Sequence, residues 1–302
     1  MFDAKRFHGV FVIVPTPFHD DLSLDIDGLR DTIRFTIACG AHGVVTPANA
    51  SEQPYLSDAE RLTVLKTTIA EARGKAVVVA GVTASTRLIA AEFARIAAAE
   101  GADMVMAMPP NMQRATEPEI RDYYAAIDAA ARLPVVVQNW IGPGATPMPA
   151  RLVADLLRDN EHVRFVKEET EFASDMMTAI RHEAGAALEG VMGGKAGLHL
   201  LDEHRRGACG TMPACEVPEV HVALWSALTA GDRARAREIY RLLLPLITFE
   251  AGYGTVAYKE VLRRRGIIRS AAVRQTGGKT LDRFAGEDLT EILTDLGPLL
   301  TR

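Results

Sequence analysis

Of the residues able to do chemistry, one group needs explaining first: a lysine that closes an apolar run and is followed at once by two glutamates. It is Lys167, Glu168 and Glu169 in VRFVKEET, residues 163–170. Two readings fit. A lysine at a strand end is commonly half of a structural ion pair. An amine held away from water instead gives up its proton more readily, and the free amine attacks a carbonyl carbon. Strand alternation puts Lys167 and Glu169 on one face and Glu168 on the other. The spacing alone leaves the choice open.

The other reactive-looking groups are weaker. In GGKAG (193–197) a phosphate-binding loop would need glycine where Glu189 stands and serine or threonine where Ala196 stands. A glycine-rich turn from strand to helix is expected there. Eight histidines form no HExxH or paired-ligand pattern, so no metal is expected. Cys39, Cys209 and Cys215 are too scattered for a disulfide framework or a zinc site, and a reducing cytoplasm is the expected setting. A net charge of −5 gives no electrostatic reason for a nucleic-acid or anionic-membrane partner. The basic run LRRRG (262–266) has no interleaved aromatics and reads as a solvated helix end. The apolar stretch of MFDAKRFHGVFVIVPTPF is too short to span a bilayer and lacks a small-residue cleavage site.

Elements must hold such residues in place, and the chain supplies them in alternation. Short apolar runs, most of them rich in valine, occur at 9–15, 42–47, 76–82, 103–109, 134–139, 163–168, 186–191 and 208–213. Continuously apolar runs of this length suit parallel strands covered on both faces. Amphipathic stretches separate them, with Ser57 and a serine before residue 87 as expected N-caps and Gly40 and Gly74 as stops. PTPFHDD follows the first run where a dinucleotide fold would want GxGxxG. The pattern predicts a (β/α)8 TIM barrel over residues 1–215, with 216–302 as a C-terminal helical extension packed on it.

In such a barrel the chemistry sits at the C-terminal ends of the strands. That points to Thr46–Glu52, Gly81–Ser85, Met108–Asn111, Gln138 and Asn139, Lys167–Thr170, Gly190–Gly194 and Met212–Cys215. Lys167 is the lone lysine at such a position outside the glycine turn.

With these motifs in hand, the chain resembles the dihydrodipicolinate synthase / N-acetylneuraminate lyase family of Schiff-base aldolases and dehydratases over essentially its whole length. GVFVIVPTPF is similar to its first strand, PVVVQN to its fifth, VRFVKEE to its Schiff-base strand and GACGTMP to its eighth. The resemblance implies that Lys167 forms an imine with a 2-oxo acid, that no cofactor is needed, and that the chain assembles as a homotetramer. Several positions depart from the family pattern. Asn49 and Ala50 stand where two threonines usually bind the substrate carboxylate, leaving the turn's backbone amides and the Ser51 hydroxyl. Pro110 and Asn111 replace a tyrosine pair, and Gln138 replaces the tyrosine that relays protons in the aldolases. A glutamine neither takes nor gives a proton at neutral pH. The arginine that grips the synthase's second substrate is missing from WIGPGAT.

MVMAMPP, ANASEQ and Gln138 resemble instead the L-2-keto-3-deoxyarabonate dehydratase branch, although VMGGKAGLHLL does not. That implies dehydration of a 2-keto-3-deoxy sugar acid, with Lys167 as nucleophile and Glu169 as acid and base. Gln138 and Asn139 would orient hydroxyls or a water. Asn49, Ala50 and Ser51 would hold the carboxylate, and Gly190 and Met212 would line the site. Glu168 is expected to face the helices, and Thr83 and Ser85 to cap the next helix. Asn111 and Met112 would line the entrance or a subunit contact. Lys195 and His199 would either touch the distal end of the substrate or begin a solvated helix. An aldolase releasing pyruvate and a non-catalytic 2-oxo-acid-binding barrel are the alternatives. Trp140 and Met108 also leave room for a hydratase-aldolase acting on aromatic pyruvates.

Overall fold

A computed structural model of the chain describes residues 4–110, 113–142, 144–275 and 280–301. Eight parallel strands close into a barrel in sequence order: β1 (Gly9–Ile13), β2 (Gly43–Thr46), β3 (Val77–Gly81), β4 (Met104–Ala107), β5 (Val135–Trp140), β6 (Val163–Glu169), β7 (Gly190–Gly193) and β8 (Gly210–Thr211). The last strand returns to the first, pairing Gly9 with Gly210 and Val10 with Thr211. The valine-rich runs are continuous because both faces of almost every strand are buried. Phe11, Val45, Val79, Met106, Val136, Phe165 and Met192 fill the barrel. Val44, Val78, Val105, Val137 and Val166 meet the surrounding helices.

The helices are α1 (Ile26–Ala38), α2 (Asp58–Ala72), α3 (Arg87–Glu100), α4 (Glu117–Ala131), α5 (Ala150–Asp159), α6 (Ala173–Ala184), α7 (Leu200–Arg205) and α8 (Pro218–Thr229). Ser57 caps α2 in a reciprocal box with Glu60. The cap of α3 is Thr86, whose hydroxyl accepts the Ile89 amide, and not Ser85. Beyond these lie α9 (Arg233–Tyr253), α10 (Thr255–Arg264) and α11 (Arg283–Leu296), which form a separate apolar cluster with α8 and β1. The chain past residue 215 therefore serves both the barrel wall and the C-terminal helices.

The seventh run is displaced from its expected place. Residues 185–187 form a 3-10 turn at the end of α6, so β7 starts at Gly190 and ends at Gly193. No helix among the described residues is long and apolar enough to cross a membrane.

Candidate active site

The register of β5 against β6 pairs Gln138 with Lys167, Asn139 with Glu168 and Trp140 with Glu169. Because alternate residues share a face, Gln138, Lys167 and Glu169 point into the barrel while Asn139 and Glu168 point out. All three inward groups are buried, Lys167 at 2% exposure. The Lys167 Nζ lies 3.0 Å from Glu169 Oε2, and the Gln138 Nε2 donates to that same oxygen at 2.7 Å. The other oxygen, Oε1, accepts the backbone amide of Lys195 at 3.3 Å. Glu169 is thus held on both oxygens beside the buried Lys167 amine, where it can carry protons to and from a group bound to that amine.

The turn after β7 is shaped around this carboxylate. A Cβ on Gly194 would lie 2.1 Å from Glu169 Oε1, so only glycine fits. Lys195 and Ala196 follow in the left-handed region at φ 49° and 53°. The Lys195 ammonium donates to the Thr170 carbonyl at 2.7 Å, which ties the β6 and β7 loops together. The glycine-rich segment is therefore a backbone contact to Glu169 and not a phosphate loop.

Glu168 faces the helices, as its register requires. Its Oε2 accepts from Asn139 Nδ2 at 2.9 Å, and its Oε1 from the Thr170 amide at 2.7 Å and the Thr170 hydroxyl at 2.5 Å. Burial pushes its pKa up, against the opposing hydrogen bonds from Thr170 and Asn139. Asn139, expected to orient substrate, does not reach the barrel interior. Besides Glu168, it bonds the Met148 amide at 2.8 Å and the Met148 carbonyl at 3.0 Å, so it pins the loop after β5. The reason is alternation: with Gln138 inward, its neighbour must turn out.

Gly190 also falls outside the mouth. It opens β7 opposite Phe165, and a Cβ there would strike the Cys209 sulfur at 2.5 Å and the Phe165 ring at 3.1 Å. It makes room for barrel filling two residues below Lys167. Met212 is buried among the interior side chains, and its amide donates to the Gly193 carbonyl at 2.9 Å.

The 48–53 turn lies beyond the end of β2. Asn49 reaches across to the Met108 sulfur at 3.6 Å, and Ala50 is half-buried beside it. The Ser51 hydroxyl is committed to the Val14 carbonyl at 2.6 Å, and its own carbonyl accepts from Thr16 at 2.7 Å. Its proton is thus spent on the protein, and the donors left for a carboxylate are the amides of Asn49 and Ala50, which begin a 3-10 turn and have no partner within it. The Thr83 hydroxyl accepts the Met108 amide at 3.0 Å, joining the ends of β3 and β4 and capping no helix. Readings placed on Asn111 and Met112 lie outside the described residues.

Two features had no signal in the sequence. Glu203 of α7 lies behind Gly193, is 1% exposed, and has an oxygen with no hydrogen-bond partner among the described residues. Burial, with the charge of Glu169 adding, pushes its pKa up to about 8. The second is the partner of Glu52, whose carboxylate pairs with Lys259 from the C-terminal helices at 2.5 Å. No group of His, Cys, Asp and Glu among the described residues is arranged to hold a metal.

The profile of the Dihydrodipicolinate synthetase family matches residues 6–283. The chain is 32% identical to L-2-keto-3-deoxyarabonate dehydratase of Azospirillum brasilense, covering 99% of this chain and 97% of that protein. It is 29% identical to 4-hydroxy-tetrahydrodipicolinate synthase of Pelodictyon phaeoclathratiforme, covering 88% and 90%. The crystal structure of dihydrodipicolinate synthase from Rhodopseudomonas palustris superimposes with a TM-score of 0.88 over 97% of this chain and 98% of that one, at 29% identity. The match of the family profile over residues 6–283 places this chain, a closed barrel with a buried lysine on its sixth strand, in the dihydrodipicolinate synthetase family.

Proposed function

We propose that this chain is a Schiff-base lyase that removes water from a 2-keto-3-deoxy sugar acid of the L-2-keto-3-deoxyarabonate type. The observation that carries the reading is the Gln138 amide donated to Glu169 beside Lys167. A tyrosine relay serves the alkoxide chemistry of carbon–carbon cleavage. A glutamine there transfers no proton, and leaves Glu169 as the acid–base group in contact with the amine among the described residues.

The sequence of steps follows. The Asn49 and Ala50 amides hold the C1 carboxylate. Lys167 attacks the C2 ketone and water leaves, forming a protonated imine. Glu169 removes a proton from C3, the electrons move into the imine, and Glu169 returns that proton to the C4 hydroxyl as it departs as water. Loss of a proton from C5 with its return at C3 gives a C4–C5 enol, and transfer of the enol's hydroxyl proton to C4 leaves C5 as an aldehyde. Water then releases Lys167 and the semialdehyde of a 2-oxo dicarboxylic acid. The water gained in hydrolysis equals the one lost in condensation, so the net change is one dehydration. The name of the Azospirillum relative supports this substrate class.

The test is incubation with 2-keto-3-deoxy-L-arabonate, followed by product analysis and borohydride trapping. The semialdehyde together with a reduced adduct on Lys167 is expected. Stoichiometric pyruvate would make the chain an aldolase, and an unmodified Lys167 would leave a barrel that only binds its ligand.

A further inference from the structure

The turn assigned to the substrate carboxylate is gripped from outside the barrel. Glu52, in that turn, has φ 56°, the left-handed region that a side chain disfavours, between two 3-10 turns at Asn49–Ser51 and Gln53–Tyr55. Such a backbone persists only where its surroundings over-determine it. Here Ser51 is tied to Val14 on one side and the Gln53 side chain to the Thr83 carbonyl at 2.8 Å on the other. The Glu52 carboxylate supplies the third hold. Its Oε1 meets Lys259 Nζ at 2.5 Å, and its Oε2 accepts the amides of Arg274 at 2.7 Å and Gln275 at 3.1 Å.

Lys259 is fully enclosed. Its ammonium also donates to the Ala272 carbonyl at 2.8 Å and lies 4.1 Å from the centre of the Phe18 ring. Glu52 and Lys259 are 1% and 0% exposed, and 207 positions apart in the chain. Stripping water from two charges offsets most of what their attraction returns, so a buried pair is a poor device for stability and a good one for fixing register.

We propose that Lys259, acting through Glu52, is a positioning residue that sets the Asn49 and Ala50 amides at the spacing a substrate carboxylate needs, so that the C-terminal helices control substrate affinity. The inference rests on the reading of the 48–53 turn as the carboxylate cradle.

The test compares borohydride trapping of Lys167 by pyruvate and by its methyl ester, which keeps the ketone and loses the negative charge. Lys259→Met leaves the Glu52 charge buried without its counter-ion, and such a variant can fail to fold. The double variant Glu52→Gln/Lys259→Met removes both charges and keeps the volume, so it decides the matter if the single one is lost. In the folded variant the pyruvate concentration for half-maximal trapping rises by about tenfold, the worth of one displaced charge-assisted hydrogen bond. The maximal rate and the ester's half-saturation stay as in the wild type. An unchanged pyruvate value, or an equal loss for acid and ester, overturns the positioning role alone. A wild-type protein that does not prefer the acid to the ester overturns the cradle and this inference with it, and a wild type that traps neither overturns the Schiff-base reading as well.

Discussion

Gln138 donates its side-chain amide to Glu169 Oε2 at 2.7 Å, the same oxygen that faces the Lys167 amine at 3.0 Å. An amide N–H can donate to that oxygen but has no proton to pass on at neutral pH, so it orients the carboxylate without competing for its chemistry. The contact turns an inert substitution for tyrosine into a support for the neighbouring acid.

Glu169→Gln keeps the size of that side chain and removes its capacity to carry a proton. Turnover is expected to fall by about 100-fold or more, the usual worth of a positioned acid–base group. Borohydride trapping of Lys167 with a 2-oxo acid should persist, read by intact mass. A variant that keeps wild-type turnover would remove Glu169 from the mechanism.

Glu168 sits one residue away and plays a different part. Glu168→Leu strands the donors of Asn139 and Thr170 in a buried layer, at a cost of about 2–3 kcal/mol. Urea unfolding should show that loss, while Glu168→Gln, which retains an acceptor, should lose less. Activity per folded molecule is expected to hold in Glu168→Gln, in contrast to Glu169→Gln.

Gly194→Ala places a Cβ where Glu169 Oε1 now lies. The carboxylate must shift, and a displacement of about 1 Å at a reacting group costs on the order of 100-fold in rate. A steady-state assay should show the loss in kcat with little change in thermal midpoint. Equal kcat in variant and wild type would mean that the loop yields instead.

Glu203 gives a pH signature. Its pKa rises from the ordinary glutamate value of 4.5 to about 8 in the folded chain, so between those values the folded state holds a proton that the unfolded state has released. Stability from this group is therefore full below about pH 4.5 and declines as pH rises to about 8. Glu203→Gln lacks that decline. Its stability relative to wild type should improve by a few kcal/mol between pH 5 and pH 8.5 in paired urea titrations, and a constant difference would show that Glu203 is ionised throughout.

The alternation of short apolar runs with helices, and the shared face of Lys167 and Glu169, were legible in the sequence. A parallel strand covered on both faces must be apolar throughout, and a two-residue side-chain period is set by covalent geometry. The same period, carried one residue past Gln138, already turns Asn139 away from the site. The tertiary structure alone decided the start of β7, because a 3-10 turn consumed the residues that looked like strand. It alone showed that Ser51 spends its proton on Val14, that Gly194 abuts Glu169, and that Glu52 meets Lys259 across 207 positions. Each of these contacts forms between segments that only barrel closure and the docking of the C-terminal helices bring together, and nothing in local propensity or spacing encodes the partner.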